Sequence, residues 1–554
     1  MSTAVTPSDL RAPVLIVGGG PVGMTLAMSL HALKTPCVIL NSELGTRWHP
    51  KGATQNARTM EHYRRLGVSG ALRRLGMPAD RPTDVGYFTR INGWELARLK
   101  MPSEREKMET VAKAGATDQV PEPLLRANQM YVEEWLLNHI KTLAGVTVRF
   151  GWQCLDYTED ADEITAEIEE VETGRRQSVR ARYIVGCDGG KGMVRHKLGV
   201  RYHGEPAGPR AYLNGPHVST YMRVPGILKR FERHPPCWFY WTVNRDVRST
   251  IMVLDNSDNV GFGTNLARPE DQPEPALIAR QFRASMGEDV EFSFYEHRPW
   301  TAGHALVADS FGSGRAILCG DAAHLFTPTG GFGLNTGVDD AVNLAWKLAA
   351  LTQGWGGPKL LASFESERRP IALRNTNAAK QLARSVGQVP IGEAINEDSA
   401  AGAAARQAAT AVLSTFGEEF AMLGVQLGAR YDGSPIIVAD GEPPADDPIT
   451  YRPSAVPGGR APHLWLDGHQ SLYDRLGHHF SLIRFNGAGA DTRPLESAAR
   501  ACGTPLETVE IDSAPGRDLY GRDLALVRPD LHVAWRGDRL PDDCGALLAR
   551  VTGF

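Results

Sequence analysis

The chain of 554 residues is poor in cysteine. Its seven cysteines, at 37, 154, 187, 237, 319, 502 and 544, are odd in number, scattered, and form no C-x-x-C pair. This excludes a disulfide frame and a cysteine zinc site, and it fits reduced thiols in a cytoplasm. Long apolar runs are missing too: none approaches the roughly 18 residues that a membrane-spanning helix needs. Residues 1–13 carry no basic segment followed by an apolar one, so no secretory signal is read there. Neither sign of charge is in excess, with 60 Lys and Arg against 64 Asp and Glu. A net charge of −4 gives no electrostatic footing for a nucleic acid or an anionic membrane surface as partner. Asp467-Gly-His469 and His478-His479 lack third and fourth ligands at metal spacing, so they read as solvated turns and no metal is expected. The length is that of roughly three or four domains.

Glycine is where the sequence concentrates its information. Val14-Leu-Ile-Val17 is a short apolar run of the kind that forms a buried parallel strand. Gly18-x-Gly20-x-x-Gly23 follows, then Met24 to His31 at helical spacing, then a second strand, Cys37-Val-Ile-Leu40. In a dinucleotide-binding turn the first glycine permits the tight bend. The second lets a pyrophosphate approach the backbone, and the third lets helix and strand pack closely. The helix N-terminus offers free N–H groups and a positive dipole end to phosphate. The residue ending the second strand is normally acidic and holds ribose hydroxyls. Here it is Asn41, which can accept and donate but brings no charge, and Glu43 lies two residues on.

Two further segments repeat the strand-to-turn logic. Tyr183-Ile-Val-Gly-Cys-Asp188-Gly189 leads into a turn that Asp188 is suited to cap. Ala316-Ile-Leu-Cys319 ends in Gly320-Asp321, whose carboxylate suits polyol hydroxyls. Glycines 330, 331, 333 and 337 then let backbone approach a flat ring. A helix is expected from Val338 to Leu351, with Gly354 as its stop. Three such segments in this order describe one nucleotide cofactor lying along a single site.

These segments carry a resemblance. The chain resembles the FAD-dependent aromatic hydroxylases, the para-hydroxybenzoate-hydroxylase-like flavoprotein monooxygenases, and looks closest to their phenol hydroxylase and 2,4-dichlorophenol 6-monooxygenase branch. GGGPVG, CDGGKGMVR and RAILCGDAAHLFTPTGGFGLNTG match the family's three fingerprints in order. Gly192 stands where that family usually has Ser, Lys51 where it has Arg, and Phe364, ahead of Glu367-Arg368-x-Pro370, where it has Tyr. The resemblance implies an α/β fold: a Rossmann-like FAD-binding domain with an inserted β-sheet substrate domain and a C-terminal thioredoxin-like domain. Residues 1–200 and 300–395 would form the discontinuous FAD-binding domain, with 80–120 contributing to the substrate domain. Residues 201–299 would form the β-sheet substrate domain, 396–445 a helical region and linker, and 446–554 the thioredoxin-like domain without C-x-x-C.

By the same resemblance Gly18, Gly20, Pro21, Val22 and Gly23 meet the FAD pyrophosphate. Asn41 and Ser42 stand at the adenosine ribose, and Asp188 supports the pyrophosphate–ribityl region. Asp321 binds the ribityl chain. Lys51, Arg126 and Gln129 belong to the cofactor set, with Gln129 against the flavin. Pro328 and the backbone of Gly331, Gly333, Leu334 and Asn335 edge the isoalloxazine. The implied activity is hydroxylation of a small aromatic, phenol-like substrate through a flavin C4a-hydroperoxide, with O2 as oxidant and NAD(P)H as transient electron donor. Cytoplasmic location and a homodimer are expectations of the same kind. Because the fingerprints bind FAD without choosing the reaction, a reductase or oxidase of a hydrophobic substrate, with no oxygen transfer, stays open.

The rest of the chain is less explicit. Trp238 to Val243 and Ser249 to Leu254 read as strands, and Tyr212, Tyr221, Trp238 and Tyr240 as aromatics that could line a substrate pocket. Tyr221, Tyr240 and Pro328 are the pocket candidates. His203, His217, His297 and His304 are candidate bases, but none is singled out. Helices are expected over 371–440, a Pro-rich linker at 441–448, and strands at 480–485, 506–511, 525–527 and 531–535.

Overall fold

The apolar runs pair as strands in the computed structural model, which describes residues 10–206, 217–266, 273–300, 304–386, 389–417, 422–485 and 489–554. Tyr212 lies outside the described residues. The first sheet runs in the order Gly312–Ser313, Ala316–Leu318, Arg176–Gly186, Leu10–Val17, Cys37–Asn41, Val146–Phe150. Its four central pairings are parallel. Val14, Leu15 and Ile16 are fully buried, which is why the run is continuous rather than alternating. The strands Leu10–Val17, Arg176–Gly186 and Ala316–Leu318 are neighbours, so the three turns that follow them open at one edge of the sheet.

The second sheet has seven strands in the order Ser293–Trp300, His217–Arg223, Asn259–Asn265, Arg248–Val253, Phe239–Val243, Val85–Phe88, Glu95–Leu99. Strand alternation sorts its residues into two faces. Val218, Met222, Phe262 and Ile251 pack with Ile278, Phe282 and Met286 of the helix Pro275–Met286. Register puts Ser219, Gly263, Thr250 and Trp241 in one row on the opposite face, and Tyr221, Gly261, Met252 and Phe239 in the next.

A third, four-stranded sheet has the order Leu506–Ile511, Phe480–Phe485, Leu524–Val527, Val533–Gly537, with only the first pairing parallel. It is anchored to the rest by buried ion pairs. Arg528 bonds both oxygens of Glu367, at 2.7 and 2.9 Å, and Asp530 at 2.6 Å; Lys347 also reaches Glu367, at 2.7 Å. Arg368 pairs with Asp339 and, at 2.7 Å, with Asp340; Arg460 pairs with Glu61. Glu367 and Arg368 of the F-x-x-E-R-x-P segment are therefore structural hubs. Phe364 packs on Phe311, ring centroids 6.0 Å apart, where a tyrosine hydroxyl would have to find a partner.

Three expectations need correction. The helix expected from Val338 begins at Phe332 and ends at Gln353, because Gly330 and Gly331 take φ of +78° and +64° and turn the chain directly into it. The region 371–440 is not helical throughout. One helix, Lys359–Val386, passes through Pro370; Ala400–Leu413 and Leu423–Leu427 follow, and Gly428, Gly433 and Pro435 leave the next stretch irregular. The last strand starts at Val533 rather than Leu531, since Leu531 adopts φ +62° in the preceding turn.

Candidate active site

The glycine turn is built as a close-packed corner with one open side. A Cβ on Gly18 would lie 2.2 Å from the Cys187 carbonyl oxygen, and one on Gly23 would lie 2.1 Å from the Gly18 oxygen. A Cβ on Gly20 would meet nothing within 4 Å. The helix Pro21–Ala32 starts there with no side-chain cap, so its first N–H groups face that open side. Asn41 ends its strand beside the turn, and its Oδ1 accepts from the Gly19 N–H at 3.4 Å. Ser42 follows and is exposed.

Asp188 accepts from the Val194 N–H at 3.0 Å and so caps the short helix Met193–Leu198. Burial pushes its carboxyl above the ordinary range, against the pull of those N–H groups. A Cβ on Gly192 would fall 2.0 Å from Asp188 Oδ1. The glycine found where serine is usual is thus the space that this carboxylate occupies.

Asp321 is accessible to solvent yet enclosed by protein, as a side chain on a cleft floor is. That enclosure raises its pKa, while His324 and Lys51 pull it down. Among the described residues no protein donor bonds its carboxylate. Buried His324 is held against Asp340 at 2.6 Å, and Asp340 is fixed in turn by Arg368. Pro328 is exposed at the start of the turn that delivers Gly331, Gly333 and Leu334, and the buried hydroxyls of Thr327 and Thr329 beside it have no protein partner among the described residues. Asn335 is fully engaged: it accepts from Asn56 N–H at 2.8 Å and Thr59 Oγ1 at 2.7 Å, and donates to Thr54 O and Gly331 O. Its side chain clamps the turn.

A strap, residues 48–51, joins this cleft to the second sheet. Lys51 lies near enough to Asp321 to lower its pKa. Pro50 covers Gly261, where a Cβ would be 3.2 Å from the proline ring. Trp48 packs edge-on to Tyr131 at 5.4 Å. Gln129 starts the helix Gln129–Ile140, its N–H donating to Gly52 O at 2.8 Å and its side chain bonded to Glu133. Arg126 is buried, bonded to Thr54 on the paired strand Thr54–Gln55, with its guanidinium 4.3 Å over the Trp238 ring next to the second sheet.

Of the pocket candidates, Tyr221 lies on the face turned to this strap, with Tyr295 at 4.6 Å. Tyr240 does not. It belongs to the opposite face, stacks on Phe231 at 4.0 Å, and accepts from the Cys237 N–H at 2.9 Å, which makes it a core residue. Of the candidate bases, His297 bonds Thr220 on the core side and His203 is exposed beside Asp309. His49, which sequence reasoning missed, is buried in the strap with Nδ1 3.0 Å from Glu296 Oε2 and Nε2 3.0 Å from Ser219 Oγ. Its only local signal was its place two residues before Lys51.

An open phosphate turn, an enclosed carboxylate without a protein donor and a ring-edging glycine turn fit FAD, and they define a nucleotide-dependent oxidoreductase. Comparison with known proteins agrees. Residues 11–379 match the FAD binding domain model, and 454–553 match the model for the C-terminal part of aromatic-ring hydroxylases. A putative polyketide hydroxylase of Streptomyces halstedii is 31% identical, over 95% of this chain and 93% of its own. Phenol 2-monooxygenase of a Pseudomonas strain is 28% identical, over 98% and 93%. The solved structure of chromopyrrolic acid-soaked RebC with bound 7-carboxy-K252c superposes with a TM-score of 0.88 at 32% identity, covering 99% of this chain and 100% of that one. The chain belongs to the FAD-dependent aromatic hydroxylases, and FAD is its cofactor.

Proposed function

We propose that this enzyme hydroxylates a phenolic ring, within a fused polycyclic molecule, using NAD(P)H as electron donor and O2 as oxidant. The observation that carries this reading is the sheet face turned to the cofactor cleft. On it Phe239, Met252 and Ser219 are partly exposed. The partly exposed Phe239 ring and Met252, with Tyr221 beneath them in the same row, suit the apolar face of a flat fused-ring ligand. The relatives support the same class: one is named a polyketide hydroxylase, and the RebC structure carries 7-carboxy-K252c.

Bound FAD supplies oxygen activation with the electrons of NAD(P)H. The chain supplies position. The Gly18–Gly23 turn would hold the pyrophosphate, Asp321 would accept from the ribityl hydroxyls, and the 328–335 turn would edge the ring system. The strap 48–51 would lie between that ring system and the substrate sheet, with Pro50 over Gly261 and Lys51 toward Asp321. Strand order in the third sheet supports a thioredoxin-like reading of 446–554, with a packing role. The test is NAD(P)H oxidation by the FAD-loaded enzyme across single-ring and fused-ring phenols. Higher kcat/KM for fused-ring phenols is expected; stimulation by single-ring phenols alone would overturn the polycyclic assignment, and none by any phenol would overturn the hydroxylase mechanism.

A further inference from the structure

Three side chains from distant parts of the sequence meet between the strap and the substrate face. Glu296 Oε2 lies 3.0 Å from His49 Nδ1, and Ser219 Oγ lies 3.0 Å from His49 Nε2. An ionised carboxylate can only accept, so Nδ1 carries the hydrogen and donates it to Glu296. Nε2 is then the bare nitrogen and accepts from the Ser219 hydroxyl. We propose that Ser219 takes the phenolic proton of the substrate, and that His49 and Glu296 form the relay that draws it away. This rests on the hydroxylase reading above and names the base which that reading lacks.

The placement supports the chemistry at both ends. Ser219 is partly exposed on the substrate face, in the same row as Gly263, Thr250 and Trp241. His49 is only 2% exposed and held from both sides. The Glu296 side chain is 38% exposed, which connects the far end to water. Burial lowers the pKa of His49; Glu296 opposes this, while Arg298 from the same strand and Lys51 from the strap reinforce it. The ring is therefore a neutral acceptor near neutral pH.

The step balances with one proton. The phenol O–H proton passes to Ser219 Oγ as the serine proton passes to Nε2, leaving a phenolate and an imidazolium whose Nδ1–H still faces Glu296. No bond to carbon changes. The imidazolium exchanges its proton with water through Glu296, and the path run backward returns a proton to the product oxygen. A phenolate ring is the more electron-rich oxygen acceptor, so the relay acts on the chemical step. General-base assistance of this kind is worth on the order of 100-fold or more in rate.

The experiment uses oxidised FAD-loaded enzyme and 4-nitrophenol, whose ionisation is visible by absorbance, together with turnover on the best phenol found. The wild type is expected to ionise bound 4-nitrophenol about one pH unit below the free compound. Ser219→Ala and His49→Asn should abolish that shift and lower kcat on the order of 100-fold with KM little changed. Their rates should recover as pH rises and solvent supplies phenolate. Ser219→Thr, which keeps the hydroxyl, should restore the shift. If His49→Asn fails to fold, Ser219→Ala and Glu296→Gln carry the test. An unchanged shift and pH profile in Ser219→Ala would overturn the relay while leaving the hydroxylase reading intact. A wild type that neither ionises 4-nitrophenol nor hydroxylates any phenol would overturn both.

Discussion

Two glycines two positions apart should fail in opposite ways when a methyl group is added. Gly20 has φ −75°, a value any residue adopts, and a Cβ there meets no protein atom. Gly20→Ala should leave the FAD-free protein as stable as the wild type, or more so by about 0.4–1 kcal/mol through a stiffer unfolded chain. Its methyl group projects into the side open to the pyrophosphate, so FAD affinity should fall roughly 10- to 100-fold, about 1.4–2.8 kcal/mol. Gly18 is the reverse case. Its φ is +113°, and its Cβ would lie 2.2 Å from a Cys187 carbonyl that cannot swing aside, because the Cys187 N–H is bonded to Val17 O at 2.7 Å. Backbone strain and forced displacement together should cost roughly 2–5 kcal/mol before any cofactor is added. Thermal unfolding of FAD-stripped protein and FAD titration by fluorescence separate the two effects. Wild-type FAD affinity in Gly20→Ala would refute the placement of the pyrophosphate, and wild-type stability of FAD-free Gly18→Ala would refute the close packing of the corner.

Other parts of the structure make equally definite predictions. Asp321→Ala should weaken FAD binding about 10-fold or more in the same titration while leaving FAD-free stability near that of the wild type, because no donor among the described residues loses its partner. Gly192→Ser restores the residue usual in relatives of the resembled family, yet its Cβ would land on Asp188 Oδ1; it should destabilise the protein by about 1–2 kcal/mol in denaturant melts through loss of the Asp188 cap. Arg528→Met leaves Glu367 and Asp530 buried without their main partner and should cost about 3–5 kcal/mol, read from the denaturation midpoint. Burial alone would raise the Glu367 pKa, but Arg528 and Lys347 outweigh it and hold the group at about 2, against 4.5 unperturbed. A depressed carboxylate gives stability that is present above pH 4.5 and is lost as pH falls toward 2. Its contribution is on the order of 3 kcal/mol, and stability-versus-pH curves for wild type and Glu367→Gln should differ in that window.

The FAD-binding fold was largely legible because its parts are local. A strand, a glycine turn and a helix sit within a few residues of each other, and the pattern in Val14–His31 needs no knowledge of distant contacts. The substrate face was not legible, because it depends on strand parity and register. Tyr221 and Tyr240 look alike in sequence, yet one faces the strap and the other the helix Ile227–Phe231. The Ser219–His49–Glu296 constellation joins positions 170 and 247 residues apart, which no spacing rule reaches. Gly192 looked like a lost polar contact until the Asp188 carboxylate was seen to fill its place. The buried ion pairs of Glu367 and Arg368 were visible only as a motif, since Glu367's partner Arg528 lies 161 residues away and Arg368 pairs with Asp339 and Asp340 of another helix.

The central claim is oxygen transfer to a phenolic ring by a FAD enzyme. The most direct measurement follows FAD-loaded protein with NAD(P)H, isotopically labelled O2 and the phenol that best stimulates turnover, with peroxide assayed in parallel. The account predicts one labelled oxygen atom in the product ring and little peroxide. NAD(P)H consumption that ends only in peroxide, or a product without label across fused-ring and single-ring phenols, would contradict it.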